Sequence, residues 1–316
     1  MTPEISVIIP TYNRRAMLSE ALASVRAQHD ASFEVIVVDD GSTDRTWDDL
    51  AAAEGAVRAI RIEHRGPAAA RNRGLALARG GLIAFLDSDD LWMPAKLSRQ
   101  ARFMREHPAC AISQSTETWM RNGRRVNPGR RHRKRAGDIF IDSLRTCLIS
   151  PSAVIVRREL LEQTGGFDED MQACEDYDLW LRIAAHNHVG LLDEPLVMRR
   201  AGHPGQLSVT LPALDRFRIL ALAKLLADET LQSERRMAVA EVMAEKCRIF
   251  GNGLERRGRS EEAAFFAGAA RLAETRWRDG ADADLATAYA RMRGRLRDDG
   301  AQWLRRADAA AAAQAT

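Results

Sequence analysis

The sequence is poor in cysteine and in aromatic residues. Its four cysteines (Cys110, Cys147, Cys174 and Cys247) are far apart and form no Cys-x-x-Cys pair. This argues against a disulfide framework or a cysteine-bound metal and fits a reducing compartment. Aromatic residues make up 6% of the chain, and none lies within the arginine-rich run of residues 121–135. Nucleic acid is not expected as a partner, because single strands are bound by stacking their bases on aromatic side chains.

Long apolar runs are also missing. No stretch of about twenty consecutive apolar residues occurs, and the N-terminal MTPEISVIIP has neither a basic segment nor a long apolar one. These absences predict a cytoplasmic protein. At 316 residues the chain exceeds the usual size of one domain, and its pattern becomes helical throughout from about residue 211. We therefore expect an α/β domain at 1–210 and an all-α region at 211–316.

Positive charge is in slight excess but unevenly distributed. The formal net charge is +3, whereas RNGRRVNPGRRHRKR (121–135) gathers basic residues into one run interrupted by proline and glycine. Such a run is usually a solvated loop. The alternative is a surface for phosphates, for an acidic acceptor or for anionic lipid headgroups, the last giving peripheral membrane contact.

Strand-like and helical patterns alternate along the first ninety residues. The strand-like stretches are ISVIIP (5–10), FEVIVVDDGS (33–42), VRAIRIE (57–63) and LIAFL (82–86), and helical patterns separate them. Ser42 or Thr43 is expected to cap the second helix. Because strands that alternate with helices form right-handed βαβ units, the pattern predicts an α/β fold with a parallel sheet.

Acidic residues follow two of these strands. Asp39 and Asp40 end the second strand, and Asp87, Asp89 and Asp90 follow the fourth. Ligands bind at the carboxyl ends of the strands in such a sheet, so the two clusters are expected to converge at one edge. Carboxylates this close repel one another unless a cation or hydrogen-bond donors compensate. Mg²⁺ or Mn²⁺ suits such a loop, because these ions bind oxygen and take further ligands from a substrate's phosphates.

Four stretches occur in an order and at a spacing typical of one known family. They are VIIPTYNR (7–14), VVDDGSTD (37–44), FLDSDD (85–90) and GGFDEDMQACEDYDLWLR (165–182), joined by the shorter ARNRGL (70–75). With these stretches the chain resembles the family 2 inverting glycosyltransferases over about residues 3–210. The resemblance implies the GT-A fold, a Rossmann-like three-layer sandwich with a mostly parallel central sheet. It also implies metal-dependent transfer of a sugar from a nucleotide-diphosphate-sugar, with a UDP-sugar favoured.

The resemblance also implies roles for individual residues. Those that would line the nucleotide site are Pro10, Thr11, Tyr12, Asn13, Arg14, Asp87 and Ser88. Either Asp39 or Asp40 would accept a hydrogen bond from the base, and Arg71 would approach the base or the diphosphate. Asp89 would bind the metal ion, and Asp90 would support it. In RRAGHPGQLS (199–208), His203 would touch the metal or a phosphate.

ACEDYDLWLR (173–182) is expected to begin a helix, because an apolar stripe follows an acidic first turn. Acids at that position can simply complement the helix dipole. The resemblance implies instead that Asp176 is the catalytic base, with Glu175 or Asp178 as alternatives. The acceptor would be a glycan, a lipid, a peptide or a small molecule.

Two other functions compete with this one. A nucleotidyltransferase would share the acids and the metal, but it should have a glycine-rich loop where this chain has PTYNRRAM (10–17). A catalytically silent binding protein would use the helical tail for partners, although the presence of both acidic motifs argues against it. The tail itself is expected to be a stabilising helical hairpin, or else a docking surface for an acceptor, a partner or a second subunit in a homodimer.

Overall fold

The computed structural model describes residues 2–52, 57–203, 206, 214–276, 287 and 289–294. The first part alternates strands and helices as the sequence predicts. Its elements are β1 (Ile5–Thr11), α1 (Arg15–Arg26), β2 (Phe33–Asp39), α2 (Thr46–Ala52), β3 (Arg58–Arg61), α3 (Pro67–Leu77) and β4 (Leu82–Phe85).

The middle of the chain adds further strands to the same sheet. Its elements are β5 (Leu91–Trp92), α4 (Lys96–Glu106), β6 (Ile112–Arg121), β7 (Arg124–Val126), α5 (Phe140–Ser143), β8 (Val154–Arg157), α6 (Arg158–Gln163), α7 (Glu175–Ala184) and β9 (Val189–Ala201). Three longer helices follow, namely α8 (Asp215–Leu226), α9 (Ser233–Glu255) and α10 (Ser260–Arg276). No helix in the described part of the chain combines the length and the apolar character needed to cross a membrane.

The sheet has the strand order β3-β2-β1-β4-β8-β6-β9-β5, and β7 pairs with β6 beside this path. Within the described residues, β1 to β4, β6 and β9 run in one direction, and β5, β7 and β8 run in the other. The prediction of a mostly parallel sheet is therefore confirmed. The carboxyl ends of β1, β2 and β4 meet at one edge, which is where the acidic motifs lie.

Side chains of β1 alternate between two apolar layers, as the period of a strand requires. Val7 and Ile9 pack with α1, α2 and α4 on one face of the sheet. Ile8 packs on the other face with α3, α6 and α7. Helices therefore cover both faces, and the expected three-layer arrangement is confirmed.

The C-terminal helices share the second of these apolar layers. Phe217 of α8, Val239 of α9 and Phe266 of α10 belong to the same buried cluster as Trp180 of α7. A charged contact reinforces this packing, because the Lys224 ammonium of α8 lies 3.2 Å from the Asp178 carboxylate of α7. The tail thus packs against the back of the helix that begins with the acidic motif.

Gly74 brings α3 unusually close to β1. A Cβ atom at this position would lie 2.4 Å from Cγ2 of Ile8. Overpacking costs about 1–3 kcal/mol and should outweigh the gain of about 1 kcal/mol in helix propensity. We expect Gly74→Ala to lower the free energy of unfolding, measured by urea denaturation. Gly81→Ala is the matched control, since a Cβ there meets no atom within 4 Å; equal losses in the two variants would contradict the close approach.

Candidate active site

The loop after β4 gathers three carboxylates. Oxygen atoms of Asp87, Asp89 and Asp90 lie within 4.8 Å of one another. The Asp90 side chain is buried and accepts hydrogen bonds from the Ser152 hydroxyl at 2.7 Å and from the Arg200 backbone amide at 2.9 Å. The same hydroxyl accepts one from the Asp87 amide at 3.1 Å. Ser152 and Asp90 therefore fix the loop from beneath, while Asp87 and Asp89 remain partly exposed above it.

The three carboxylates affect one another's ionisation. Burial raises the pKa of Asp90, and the charges of Asp89 and Asp87 raise it further. Burial also opposes ionisation of Asp89, but a hydrogen bond from His203 and the charge of Arg14 bring the pKa of Asp89 down to about 2. His203 Nε2 lies 2.9 Å and Arg14 Nη1 2.6 Å from Asp89 Oδ2. Partly exposed carboxylates supply the oxygen ligands that Mg²⁺ and Mn²⁺ prefer, and an imidazole nitrogen lies next to them.

Asp39 and Asp40, at the end of β2, have different environments. Asp39 is fully buried and its Oδ1 accepts from the Ser42 amide and hydroxyl, whereas its Oδ2 has no hydrogen-bond partner among the described residues. Burial raises the pKa of Asp39. Asp40 accepts from the amides of Arg65 and Gly66 and lies 2.7 Å from the His64 ring. Asp39 therefore retains an oxygen without a hydrogen bond, although the exposed Arg61 guanidinium lies 3.4 Å from it, while the Asp40 carboxylate organises the following loop.

The loop after β1 joins the two acidic loops. Asn13, with a left-handed φ of 50°, donates from its amide to the Ser42 hydroxyl and accepts from the Thr43 amide at 2.7 Å. Arg14 reaches Asp89 in the other loop. The expectation that Ser42 or Thr43 caps α2 is wrong, because these residues bind Asp39 and Asn13 instead. α2 begins at Thr46, whose amide donates to the Asp44 carboxylate.

The remaining residues predicted for the nucleotide site lie beside these loops. Pro10 and Thr11 are buried at the end of β1, and Ser88 is buried in the loop after β4. The Tyr12 ring stacks on the His64 ring with a centroid distance of 3.9 Å. This stack lies beside Asp40, because the same His64 ring contacts the Asp40 carboxylate.

Arg71 of α3 connects the third acidic motif to the second. Its guanidinium lies 2.7 Å from Asp87 and 2.5 Å from Glu175, and its side chain is 5% exposed. Burial works against the charge of Arg71, but the two carboxylates outweigh burial and raise its pKa. The arginine therefore holds the loop after β4 against the first turn of α7.

The first turn of α7 presents three acids in three environments. Cys174 precedes the helix with a left-handed φ of 59°. Burial raises the pKa of Glu175 to about 7, with Arg71 opposing this effect and Asp176 adding to it. Asp178 is buried and paired with Arg182 and Lys224. Asp176 is partly exposed, and its carboxylate accepts from the Tyr177 amide and the Cys147 thiol, with no ion pair among the described residues.

A buried polar cluster beside Asp176 was not predicted from the sequence. The Glu117 carboxylate of β6 binds the Lys134 ammonium at 3.1 Å and accepts from the Trp119 indole at 2.9 Å. Lys134 also donates to the Ser150 hydroxyl at 3.0 Å. The Arg199 guanidinium of β9 lies 4.8 Å from the centroid of the Trp119 ring. The one signal in the sequence is Glu117, a charged residue in the middle of the strand β6, which indicates that a buried partner is needed.

The mostly parallel sheet, covered on both faces and carrying an acidic loop after β4, defines the GT-A class of nucleotide-sugar-binding folds. The sequence profile described as "Glycosyl transferase family 2" matches residues 6–165, and the chain belongs to this family. The family and the fold predicted from the four sequence motifs are thereby confirmed.

Curated relatives and a solved structure agree with this assignment. An uncharacterized glycosyltransferase of Rickettsia felis is 34% identical over 61% of this chain and 32% of its own length. The chain thus spans about a third of that relative. The Escherichia coli protein "UDP-Glc:alpha-D-GlcNAc-diphosphoundecaprenol beta-1,3-glucosyltransferase WfgD" is 31% identical over 60% of this chain and 73% of its own length. Staphylococcus aureus TarS 1-349, solved in complex with UDP-GlcNAc, shares the fold with a TM-score of 0.71 and 23% identity, over 93% of this chain and 89% of that one.

Proposed function

We propose that this protein is a metal-dependent inverting glycosyltransferase that moves a sugar from a UDP-sugar to an acceptor hydroxyl. The observation that carries the proposal is the Arg71 bridge. It joins the acidic loop after β4, which could bind a metal ion, to the first turn of α7, where the Asp176 carboxylate has no ion pair among the described residues. Family membership supports the transfer reaction, and the UDP-glucose donor of WfgD and the UDP-GlcNAc bound by TarS support a uridine donor.

Asp176 is the proposed base. An inverting transfer requires one carboxylate to take the proton from the acceptor hydroxyl as its oxygen attacks the anomeric carbon from the face opposite the diphosphate. Glu175 is paired with the buried Arg71, and the buried Asp178 is paired with the partly exposed Arg182, so a proton acceptor at either position would first have to give up its partner. Asp176 is partly exposed and its carboxylate has no such partner among the described residues. These contacts favour Asp176 over both alternatives.

Asp89 and His203 are the proposed metal ligands, and Asp87, proposed for the nucleotide site, lies in the same acidic cluster. When bound there, a divalent ion would supply electrostatic stabilisation of the charge that grows on the departing diphosphate. Arg14 contributes a positive charge at the same loop. Asp39 is the proposed acceptor for the base, because its buried Oδ2 lacks a hydrogen-bond partner among the described side chains and faces an exposed guanidinium, that of Arg61, at 3.4 Å. We assign this donor chemistry to residues 1–210 and a supporting role to the helical region of residues 211–316.

A panel of nucleotide sugars tests the proposal. One UDP-sugar with Mn²⁺ should raise the melting temperature of the protein, and EDTA should remove the shift. Asp89→Asn should lose the shift as well, because it removes a charged metal ligand. Asp193→Asn is the matched control, since Asp193 is exposed in β9 and should retain the full shift. A shift that survives EDTA, or that Asp89→Asn retains, would contradict the metal-dependent donor site.

A further inference from the structure

We infer that the acceptor of this transferase bears phosphate groups and that the arginine loop, residues 121–135, binds them beside Asp176. The inference rests on the proposed function, because only a transferase has an acceptor, but the binding of phosphate by the loop can be tested on its own. Its basis is a loop with several exposed guanidinium groups that is held at one end by the buried Lys134, next to the candidate active site.

The exposed arginines of this loop lack acidic partners. Those without an ion pair to any described residue are Arg121, Arg124, Arg125, Arg130, Arg131 and Arg133, and all six are exposed. By contrast, Arg135 at the end of the loop pairs with Asp142 at 2.5 Å. Like charges held close together repel one another, and a bound anion relieves this repulsion. Guanidinium groups match the oxygen geometry of phosphate through paired hydrogen bonds.

The loop is anchored in the wall of the candidate site. Lys134, its penultimate residue, is 7% exposed and binds Glu117 and Ser150. The His132 ring lies 5.2 Å from the Trp119 ring. The partly buried Cys147 thiol lies 3.7 Å from Asp176 Oδ2 and links this group to the proposed base. The C-terminal end of the loop is therefore fixed near the proposed base, and the exposed arginines precede this anchor in the chain.

The electrostatics of this wall are positive. Burial lowers the pKa of His132, and the neighbouring charges of Arg131, Arg199 and Lys134 lower it further. Arg199 also faces Asp176, and the pKa of Arg199 is raised against the effect of burial by Glu117, Asp90 and Asp176. An acceptor bound at this wall would lie near the Arg199 guanidinium, which interacts with Asp176, and near the Lys134 ammonium. A phosphate near its attacking hydroxyl would be held there.

A bilayer is the competing occupant of a basic loop, and the loop is poorly suited to it. Elements that bind a membrane surface insert apolar side chains below their basic ones. The exposed large apolar side chains of the described residues are Ile141, Met237 and Ile249, and all three lie outside residues 121–135. A surface of arginines alone, continuous with the catalytic wall, favours a phosphate-bearing acceptor over a lipid surface.

Calorimetric titration with sodium tripolyphosphate tests the inference on the full chain. EDTA is present throughout, so that metal-dependent binding at the loop after β4 does not contribute. The combined variant Arg124→Gln, Arg125→Gln and Arg133→Gln should raise the Kd by about tenfold or more, because three charge-assisted contacts are lost. It should also reduce the dependence of binding on salt. The matched control is Arg73→Gln, Arg256→Gln and Arg257→Gln, which removes the same charge from exposed sites elsewhere and should change the Kd less than about twofold.

Three outcomes would overturn the inference. Equal losses in the two combined variants would show that only net charge matters. Equal binding of an oligogalacturonate would show that the loop does not select phosphate. Loop-dependent binding to phosphatidylglycerol vesicles, without loop-dependent binding of tripolyphosphate, would identify the membrane as the partner. If no nucleotide sugar shifts the melting temperature but the loop still binds tripolyphosphate, the proposed donor site is wrong and the phosphate-binding surface is retained.

Discussion

Replacing Asp176 with asparagine should nearly abolish turnover and leave donor binding close to that of the unaltered protein. Asparagine has the size of aspartate and keeps an oxygen that can accept from the Tyr177 amide. It cannot take a proton from an attacking hydroxyl. General-base catalysis typically contributes a factor of about 10²–10⁴ in rate, so kcat should decrease by a factor in this range.

The measurement is release of UDP from the donor identified by the panel, together with the thermal shift that the donor produces. The expected pattern is a large loss in kcat with an unchanged shift, because the donor contacts proposed above do not include Asp176. Asp193→Asn again serves as the matched control. Normal turnover by Asp176→Asn would eliminate Asp176 as the base and return attention to Glu175, whose pKa of about 7 would suit proton transfer.

Arg71→Met should cause the largest loss of stability among the substitutions considered for this chain. The methionine would leave Glu175 buried without its cation and would release Asp87 from α3. Removal of one partner from a buried ion pair costs about 3–5 kcal/mol, because the other charge remains desolvated. Part of this loss should be recovered at low pH, where Glu175, with a raised pKa, is protonated and no longer needs the arginine.

Urea denaturation measures this loss, and α3 itself supplies the control. Arg73 lies two residues further along the same helix and is exposed, so Arg73→Met should change the free energy of unfolding by less than about 0.5 kcal/mol. Arg71→Lys should fall between the two, since an ammonium lacks the fork that contacts both acids at once. Similar stabilities for Arg71→Met and Arg73→Met would contradict a stabilising role for the bridge.

The elements that the sequence predicts well are those set by local pattern. Val7, Ile8 and Ile9 alternate between two faces, and the strand that contains them lies where the apolar run indicates. The acidic loop after β4 could likewise be located, because parallel strands bring their carboxyl ends together. Long, regular patterns of this kind depend little on distant residues.

The pairing of charged side chains could not be predicted in the same way. Arg71 is separated from Glu175 by 104 residues, and nothing near either residue indicates the partner. Lys134 stands in a run that reads as a solvated loop, yet its ammonium is buried against Glu117. Which cation turns inward is decided by the tertiary fold, because a buried carboxylate requires a partner that the local sequence does not specify.

Two sides of the site differ in how firmly they are held. Of the ten residues of α7, eight are buried, between the sheet on one side and α8 on the other. The arginine loop, by contrast, exposes most of its residues to water. Substitutions in the loop therefore disturb little of the core, whereas substitutions in α7 disturb the apolar layer that it shares with the sheet and α8. Related chains could therefore differ in the acceptor they use through changes in the arginine loop, while α7 and the catalytic step stay the same.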